Sequence, residues 1–276
     1  SLKWTTGTAE SAVASDEIMY AEHYIEAQNV AGLQYGTADA KPVTLSFWVK
    51  SSITGTFNSS LYQADGNRIL TKTYAISSAN TWEYKTITFE GDTSGTINDD
   101  NGEGLRPVWN IFAGSGYTST DRTSWGSYST TTWAYGHAQN AHATTAGATF
   151  FLTGVQMEIG EKATEFEHEP YDATLKKCLR YHYEYTTSGL SDYPAYFSTP
   201  YSPASQDGSL PNSSAILSVV HPVPMRAAPS HPATTVVGST SLSRDTSTVY
   251  HTVYQMGSST SNEAQSISAA TITAEL

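Results

Sequence analysis

The sequence predicts an all-β chain: a jelly-roll β-sandwich, then a short helix, then a second, small sandwich-like β-domain. Three observations lead there. Thr, Tyr, Trp and Val are plentiful while charged residues make up only 14% of the chain, a composition that suits pleated, half-buried surfaces. Short runs alternate apolar and polar residues as far as Ile159 and are separated by turn residues roughly every 8–12 positions, the rhythm of a two-sheet sandwich. At 276 residues the chain is long enough for two separate cores.

Taken in order, Met19, Ala21, His23, Ile25 and Ala27 share one face of an extended run, with Tyr20, Glu22, Tyr24 and Glu26 on the other. Lys41-Pro42 precedes the cleanest strand, in which Val43, Leu45, Phe47 and Val49 point inward and Thr44, Ser46, Trp48 and Lys50 outward. Strands follow over Phe57–Gln63 and Ile69–Ile76, joined by Asp65-Gly66-Asn67, a hairpin signal. Thr81–Phe89 and Pro107–Phe112 read as strands on either side of an acidic, Gly-containing loop from Gly91 to Gly104. Gly114 to Gly147 is a long loop rich in Ser, Thr, Trp and Tyr with no apolar period, and loops of that length commonly carry function. In Phe150–Ile159, Phe151, Val155, Met157 and Ile159 are expected on one face and Leu152, Gln156 and Glu158 on the other. Asp172 is placed to cap a short helix carrying Leu175, Cys178 and Leu179.

Beyond the helix the composition shifts. Ser188 to Ser214 is dense in Pro and Tyr, which favours irregular or edge strands. Strands are expected at Ala215–Val220, Thr234–Gly238, Thr248–Met256 and Ser266–Glu275, with a Pro-rich link through Pro222, Pro224, Pro229 and Pro232. The domain plan is therefore a sandwich over 1–171, a linker helix and strand start over 172–186, and a C-terminal β-domain over 187–276. Ser1 to Thr6 reads as mid-strand, so the first domain is expected to lack its opening strands. Large aliphatics are few in the last domain, which argues that it buries surface against copies of itself.

The run TGVQMEIGEKATEFEHEPYDATLKKCLRYHYEY, Thr153 to Tyr185, resembles a segment of tail-fibre and other virion structural proteins of bacteriophages, marine ones especially. The resemblance extends through Tyr24–Gln28, Leu45–Lys50, Ser51–Thr56 and Trp82–Phe89, and so spans most of residues 1 to 185. It implies a carbohydrate-binding-module-like jelly-roll leading into a C-terminal domain, exposed on a virion appendage, partnered with other virion proteins and with itself as a homotrimer.

A net charge of -12 opposes contact with nucleic acid, and no run of about 18 apolar residues is present to insert in a membrane. Cys178 is the only cysteine and reads as a small core filler. There is no G-x-S-x-G, no H-E-x-x-H and no P-loop, so no catalytic residue is assigned. Glu165, Glu167 and Glu169 read as a solvated edge, His168 as a structural residue, and His137 and His142 as loop imidazoles in solvent. No cofactor is expected beyond a structural calcium, for which Asp92, Asp99, Asp100 and Glu103 offer hard oxygen ligands; Asn98 and Asn101 stand beside them.

Sugar binding needs aromatic faces together with hydroxyl and amide groups. The glycan-binding candidates are Trp109, Tyr117, Trp125, Tyr128, Trp133 and Tyr135; Tyr193, Tyr196, Tyr201, Tyr250 and Tyr254 are receptor or interface candidates. The expected function is a non-enzymatic fibre or fibre-tip protein that attaches to host-surface glycan by weak, multivalent binding. Two alternatives stay open: a purely structural capsid or tail decoration protein, and a binding module detached from a secreted glycoside hydrolase.

Overall fold

The computed structural model describes residues 1–186, 197–198, 215–237, 242–248, 250–256 and 266–274. They divide into two compact units, Ser1–His168 and Glu169–Glu275.

The first unit is an antiparallel two-sheet sandwich. One sheet contains β1 (Leu2–Thr5), β4 (Val43–Ser51), β7 (Glu83–Phe89) and β10 (Thr149–Ile159), in the spatial order β1-β10-β4-β7. The other contains β2 (Ile18–Glu22), β5 (Gly55–Gln63), β6 (Arg68–Ile76), β8 (Glu103–Ala113) and the short β9 (Gly126–Ser127), in the order β2-β8-β5-β6-β9, with β3 (Ile25–Glu26) also pairing with β8. Apart from the β5–β6 hairpin and the β2–β3 run, the main strands alternate between the sheets along the chain. Short helices α1 (Ala27–Val30), α2 (Ser115–Thr118) and α3 (Ala141–Thr144) lie in the connections. The long loop between β8 and β10, expected without structure, thus holds α2, β9, a 3-10 turn over Thr130–Thr132, and α3.

The alternation read from the sequence builds the core. Val43, Leu45, Phe47 and Val49 are all buried, facing Phe57, Leu61, Leu70, Tyr74, Trp109 and Ile111 of the second sheet. Phe47 meets Tyr74 and Trp109 edge-on at 5.3 and 5.8 Å, the geometry that aromatic quadrupoles prefer. Asn67, with φ of 47°, takes the left-handed position of the β5–β6 turn.

In β10 the expected faces change over partway. Gly154, at φ 57°, sits where the β10–β4 register shifts between Thr153 and Gln156. One extra residue at a bulge reverses the parity of everything beyond it. Phe150 and Leu152 therefore face the core before the bulge and Met157 after it, while Phe151 lies on the outer face under the Lys50 ammonium, 4.3 Å from its ring centre.

In the second unit, α4 spans Tyr171–Leu179 with Pro170 at its N-cap; Asp172 lies inside the first turn and makes no cap hydrogen bond. Cys178 is exposed, not a core filler. The segment expected as a linker joins this unit: β11 (His182–Thr186) pairs with β17 (Ser266–Thr273), which pairs with β14 (Ser230–Val237). A second sheet has the order β12-β13-β16-β15, with β12 Phe197–Ser198, β13 Ala215–Val220, β15 Leu242–Ser247 and β16 His251–Met256. Pro232, expected in a link, falls in β14 where the register with β17 shifts between Ser230 and Ala233, a place where the missing N–H costs no ladder bond.

Candidate functional site

The outer face of the second sheet carries the side chains that sequence parity turned away from the core. Tyr20 on β2, Tyr62 on β5 and Arg106 on β8 stand there, and the long loop folds across them. The loop is tied down at many points. Ser60 donates to the Trp133 carbonyl at 2.5 Å, Ala134 N–H to the Tyr117 carbonyl at 2.9 Å, and Tyr128 N–H to the Asn67 carbonyl at 2.9 Å. The 3-10 turn over Thr130–Thr132 is closed by Ser129 N–H donating to Thr132 Oγ1 at 3.0 Å. Beneath it, Asn110 donates to Asn58 Oδ1 at 3.0 Å and Asn58 to Ser60 Oγ at 3.2 Å, a buried polar chain that ends on the loop backbone. This polar chain ties three strand residues to the loop, although the buried Asn110 Oδ1 has no partner among the described residues.

Between loop and sheet lies a pocket of about 250 Å³. Tyr20, Tyr62, Tyr117, Tyr128 and Trp133 wall it, with Arg106 and Ile18 at its base and side. The rings brace one another edge-on or tilted: Tyr128 and Tyr20 each lie 5.6 Å from Trp133, and Tyr62 lies 5.4 Å from Tyr128. Arg106 stacks on Tyr24 at 4.1 Å and on Tyr62 at 5.3 Å. Its charge is already matched, by Glu103 at 2.6 Å and Glu22 at 3.1 Å. Burial works against that charge, but the two carboxylates outweigh it and hold the guanidinium pKa above its ordinary value. Burial raises the Tyr20 and Tyr62 phenols, so both keep their O–H at neutral pH, with that of Tyr62 donated to Asn67 Oδ1 at 3.0 Å. Trp133 is 7% exposed, and its indole N–H has no hydrogen-bond partner among the described residues.

This chemistry suits a small polyhydroxylated ring without an anionic group: aromatic walls for its C–H faces, phenols for its hydroxyls, and a guanidinium already paired with two carboxylates. Of the six glycan candidates, Tyr117, Tyr128 and Trp133 come together here. Trp109 does not. It is 2% exposed, between the sheets against Phe47, because it shares the inward parity of Leu105 and Ile111. Trp125 packs on Tyr35 at 5.7 Å and donates to the Glu90 carbonyl at 2.6 Å, and half-buried Tyr135 stands outside the pocket lining. Tyr20, Tyr62 and Arg106 were missed as site residues; the signal for them was the polar-face parity of their strands.

Three of the four residues considered for calcium have other partners. Asp92 is buried and paired with Arg68 at 2.6 Å, and Glu103 is bound to Arg106. Asp100 accepts the Gly102 N–H at 2.8 Å. No group of three or more His, Cys, Asp or Glu suited to a metal occurs among the described residues. His137 and His142 are also not in solvent: both are buried, on either side of Phe57 with each ring 5.5 Å from it. His168 is exposed and lies edge-on to Phe166 at 5.0 Å. Of the receptor candidates, Tyr250 is 64% exposed and Tyr254 lies on β16, whereas Tyr193, Tyr196 and Tyr201 lie outside the described residues. Compared with models of known protein families and with curated proteins, the chain matches none.

Proposed function

We propose that this chain is a non-enzymatic adhesive protein, a phage fibre or fibre-tip component whose first unit is a jelly-roll module that holds a host-surface glycan in the tyrosine-walled pocket. The observation that carries the glycan part is the convergence of four tyrosines and Trp133 around one 250 Å³ space whose lining arginine, Arg106, is already ion-paired. The alternation of strands between the two sheets supports the jelly-roll reading. The placement on a virion rests on the resemblance of Thr153 to Tyr185. A pocket smaller than typical drug-sized sites holds one ring of a glycan at modest affinity, and repeated copies of the chain supply avidity.

The test is a glycan array probed with the intact chain, followed by titration of any hit against Tyr128→Ala and Tyr117→Ala. Binding that both substitutions weaken at unchanged melting temperature supports the proposal. No binding at millimolar sugar overturns it and favours a decoration protein. One observation favours that second reading: Trp48, Trp82 and Tyr84 on the outer face of the first sheet are 41%, 37% and 42% exposed, a ring patch suited to subunit contact.

A further inference from the structure

The outer face of the first sheet is divided in two. Along β4 the outward residues Thr44 and Ser46 are buried, whereas Trp48 beyond them is exposed. Opposite Ser46 and Thr44 stand Gln156 and Glu158, which hold the segment Thr164–Glu167: Thr164 N–H donates to Glu158 Oε2 at 3.0 Å and Glu167 N–H to Gln156 Oε1 at 2.8 Å. This segment sets Phe166, 40% exposed, between exposed Glu165 and Glu167. In the open half, the register builds a row across the strands. Lys3 pairs with Phe151 and Phe151 with Lys50, and Trp82 is next in line. The Lys50 ammonium sits 4.3 Å from the Phe151 ring centre and 5.1 Å from that of Trp82, and Lys3 sits 5.6 Å from Phe151. Trp48 and Tyr84 pair in the adjoining row, 5.4 Å apart. Lys3, Lys50, Glu165 and Glu167 make no ion pair among the described residues. Tyr20 aside, every exposed Phe, Trp or Tyr described in the first unit lies on this face or on the segment held against it.

We infer that this face joins two copies of the chain about a two-fold axis, the lysine-and-ring half of one copy meeting the Glu165–Phe166–Glu167 segment of the other. A two-fold contact needs a surface complementary to itself. This face carries both signs of charge, kept in separate halves, with exposed rings in each. An anionic glycan, a nucleic acid or an anionic membrane would meet Lys3 and Lys50 but be repelled by Glu165 and Glu167 beside them, and by a chain of net charge -12. A second copy turned through half a rotation brings carboxylates to ammonium groups, and Phe166 to the exposed rings, at both ends of the contact. Grouped exposed rings of this kind mark an interaction surface, and the opposed charges fix its register. The tyrosine pocket belongs to the outer face of the other sheet and stays open.

Sedimentation velocity of the intact chain across the micromolar range reads the contact. The expected result is a concentration-dependent doubling of mass. Lys50→Glu, or Glu165→Lys combined with Glu167→Lys, sets like charges against each other at both ends and should weaken the association at least about tenfold. An equimolar mixture of the two variants places opposite charges at both ends again, so the doubling should return. Should Lys50→Glu lower the melting temperature, Lys3→Glu at an exposed position takes its place. A mass that does not double anywhere in the range overturns the inference, as does a doubling that both variants leave intact or a mixture that stays dissociated. Undoubled chain held on immobilised alginate, and released by Lys50→Glu, would overturn it in favour of an acidic polysaccharide. Glycan binding at the tyrosine pocket is measured on the other sheet, so the two proposals fail separately.

Discussion

Lowering the pH from 7.5 to 5.0 should destabilise the first unit through His137 and His142. Burial pushes both imidazoles down to about 4, well under the ordinary 6.5. Each is held neutral by its surroundings. His137 Nε2 lies 2.6 Å from the Gln139 carbonyl and its ring rests on Phe57; His142 Nε2 lies 3.0 Å from Ser51 Oγ, with Trp4, Phe57 and Phe150 around its ring. The folded pKa is depressed, so the folded state resists a proton that the unfolded state accepts. The stabilisation is complete above about pH 6.5 and is lost as the pH falls toward 4. For one ring with pKa of about 6.5 unfolded and about 4 folded, linkage gives a loss of about 2 kcal/mol between pH 7.5 and 5.0, and about 4 kcal/mol for both. That is a large part of the roughly 5–15 kcal/mol that holds a domain together, and the window lies above the range where ordinary carboxylates titrate.

Urea unfolding monitored by tryptophan fluorescence at the two pH values measures this directly, since the denaturation midpoint falls with the free energy. Replacing each ring by Gln should remove about half of the drop, and replacing both should nearly abolish it, whatever the variants cost at pH 7.5. A wild-type midpoint that is the same at pH 7.5 and 5.0 would refute the reasoning. So would a drop that survives undiminished in the double variant.

Other perturbations follow from single contacts. Asp92→Ala leaves the Arg68 guanidinium without its carboxylate and Ser94 N–H without its acceptor, and should cost about 3 kcal/mol in urea unfolding. Gly154→Ala puts a side chain at φ 57°, with its Cβ 3.1 Å from the Trp48 ring, and should cost about 1–2 kcal/mol, read as a drop in melting temperature. Trp109→Ala should cost about 3–5 kcal/mol by opening the core, and in a variant that still folds at low temperature it should leave any glycan affinity unchanged.

The strands were legible because a half-buried strand writes its period into the sequence. Val43 to Val49 alternates without interruption, and its inward residues are all buried, with Thr44 and Ser46 of the outward set covered as well. Where a single residue breaks the period, parity misleads: before Gly154 the apolar run Phe150–Leu152 hides which side faces in, and the lone Gly154 is the one sign of the bulge that puts the rest of β10 out of phase. Trp109 could have been excluded as a ligand contact from its parity with Leu105 and Ile111; its identity as a tryptophan outweighed its position. The long loop hid its order for a different reason. Its rings are held by contact with the outer face of a sheet remote in sequence, as Trp133 is with Tyr20 and Tyr62, and such pairings leave no local period to read. The same holds for His137 and His142, whose burial depends on Phe57, some eighty residues earlier in the chain.

That dependence bears on what the pocket is for. A loop whose rings merely filled space could rest on an apolar sheet face, yet this one is anchored by the Asn110–Asn58–Ser60 chain to the Trp133 backbone and by Thr71 N–H to the Arg122 carbonyl at 2.7 Å. Polar anchors of this kind specify position in a way that apolar contact does not. Here they hold Tyr117, Tyr128 and Trp133 against Tyr20 and Tyr62. A ligand that enters such a pocket orders little that is not already ordered, which lowers the entropic cost of each weak contact. Under the proposed glycan-binding role, rings held in place in this way suit a site of modest affinity that acts through many copies.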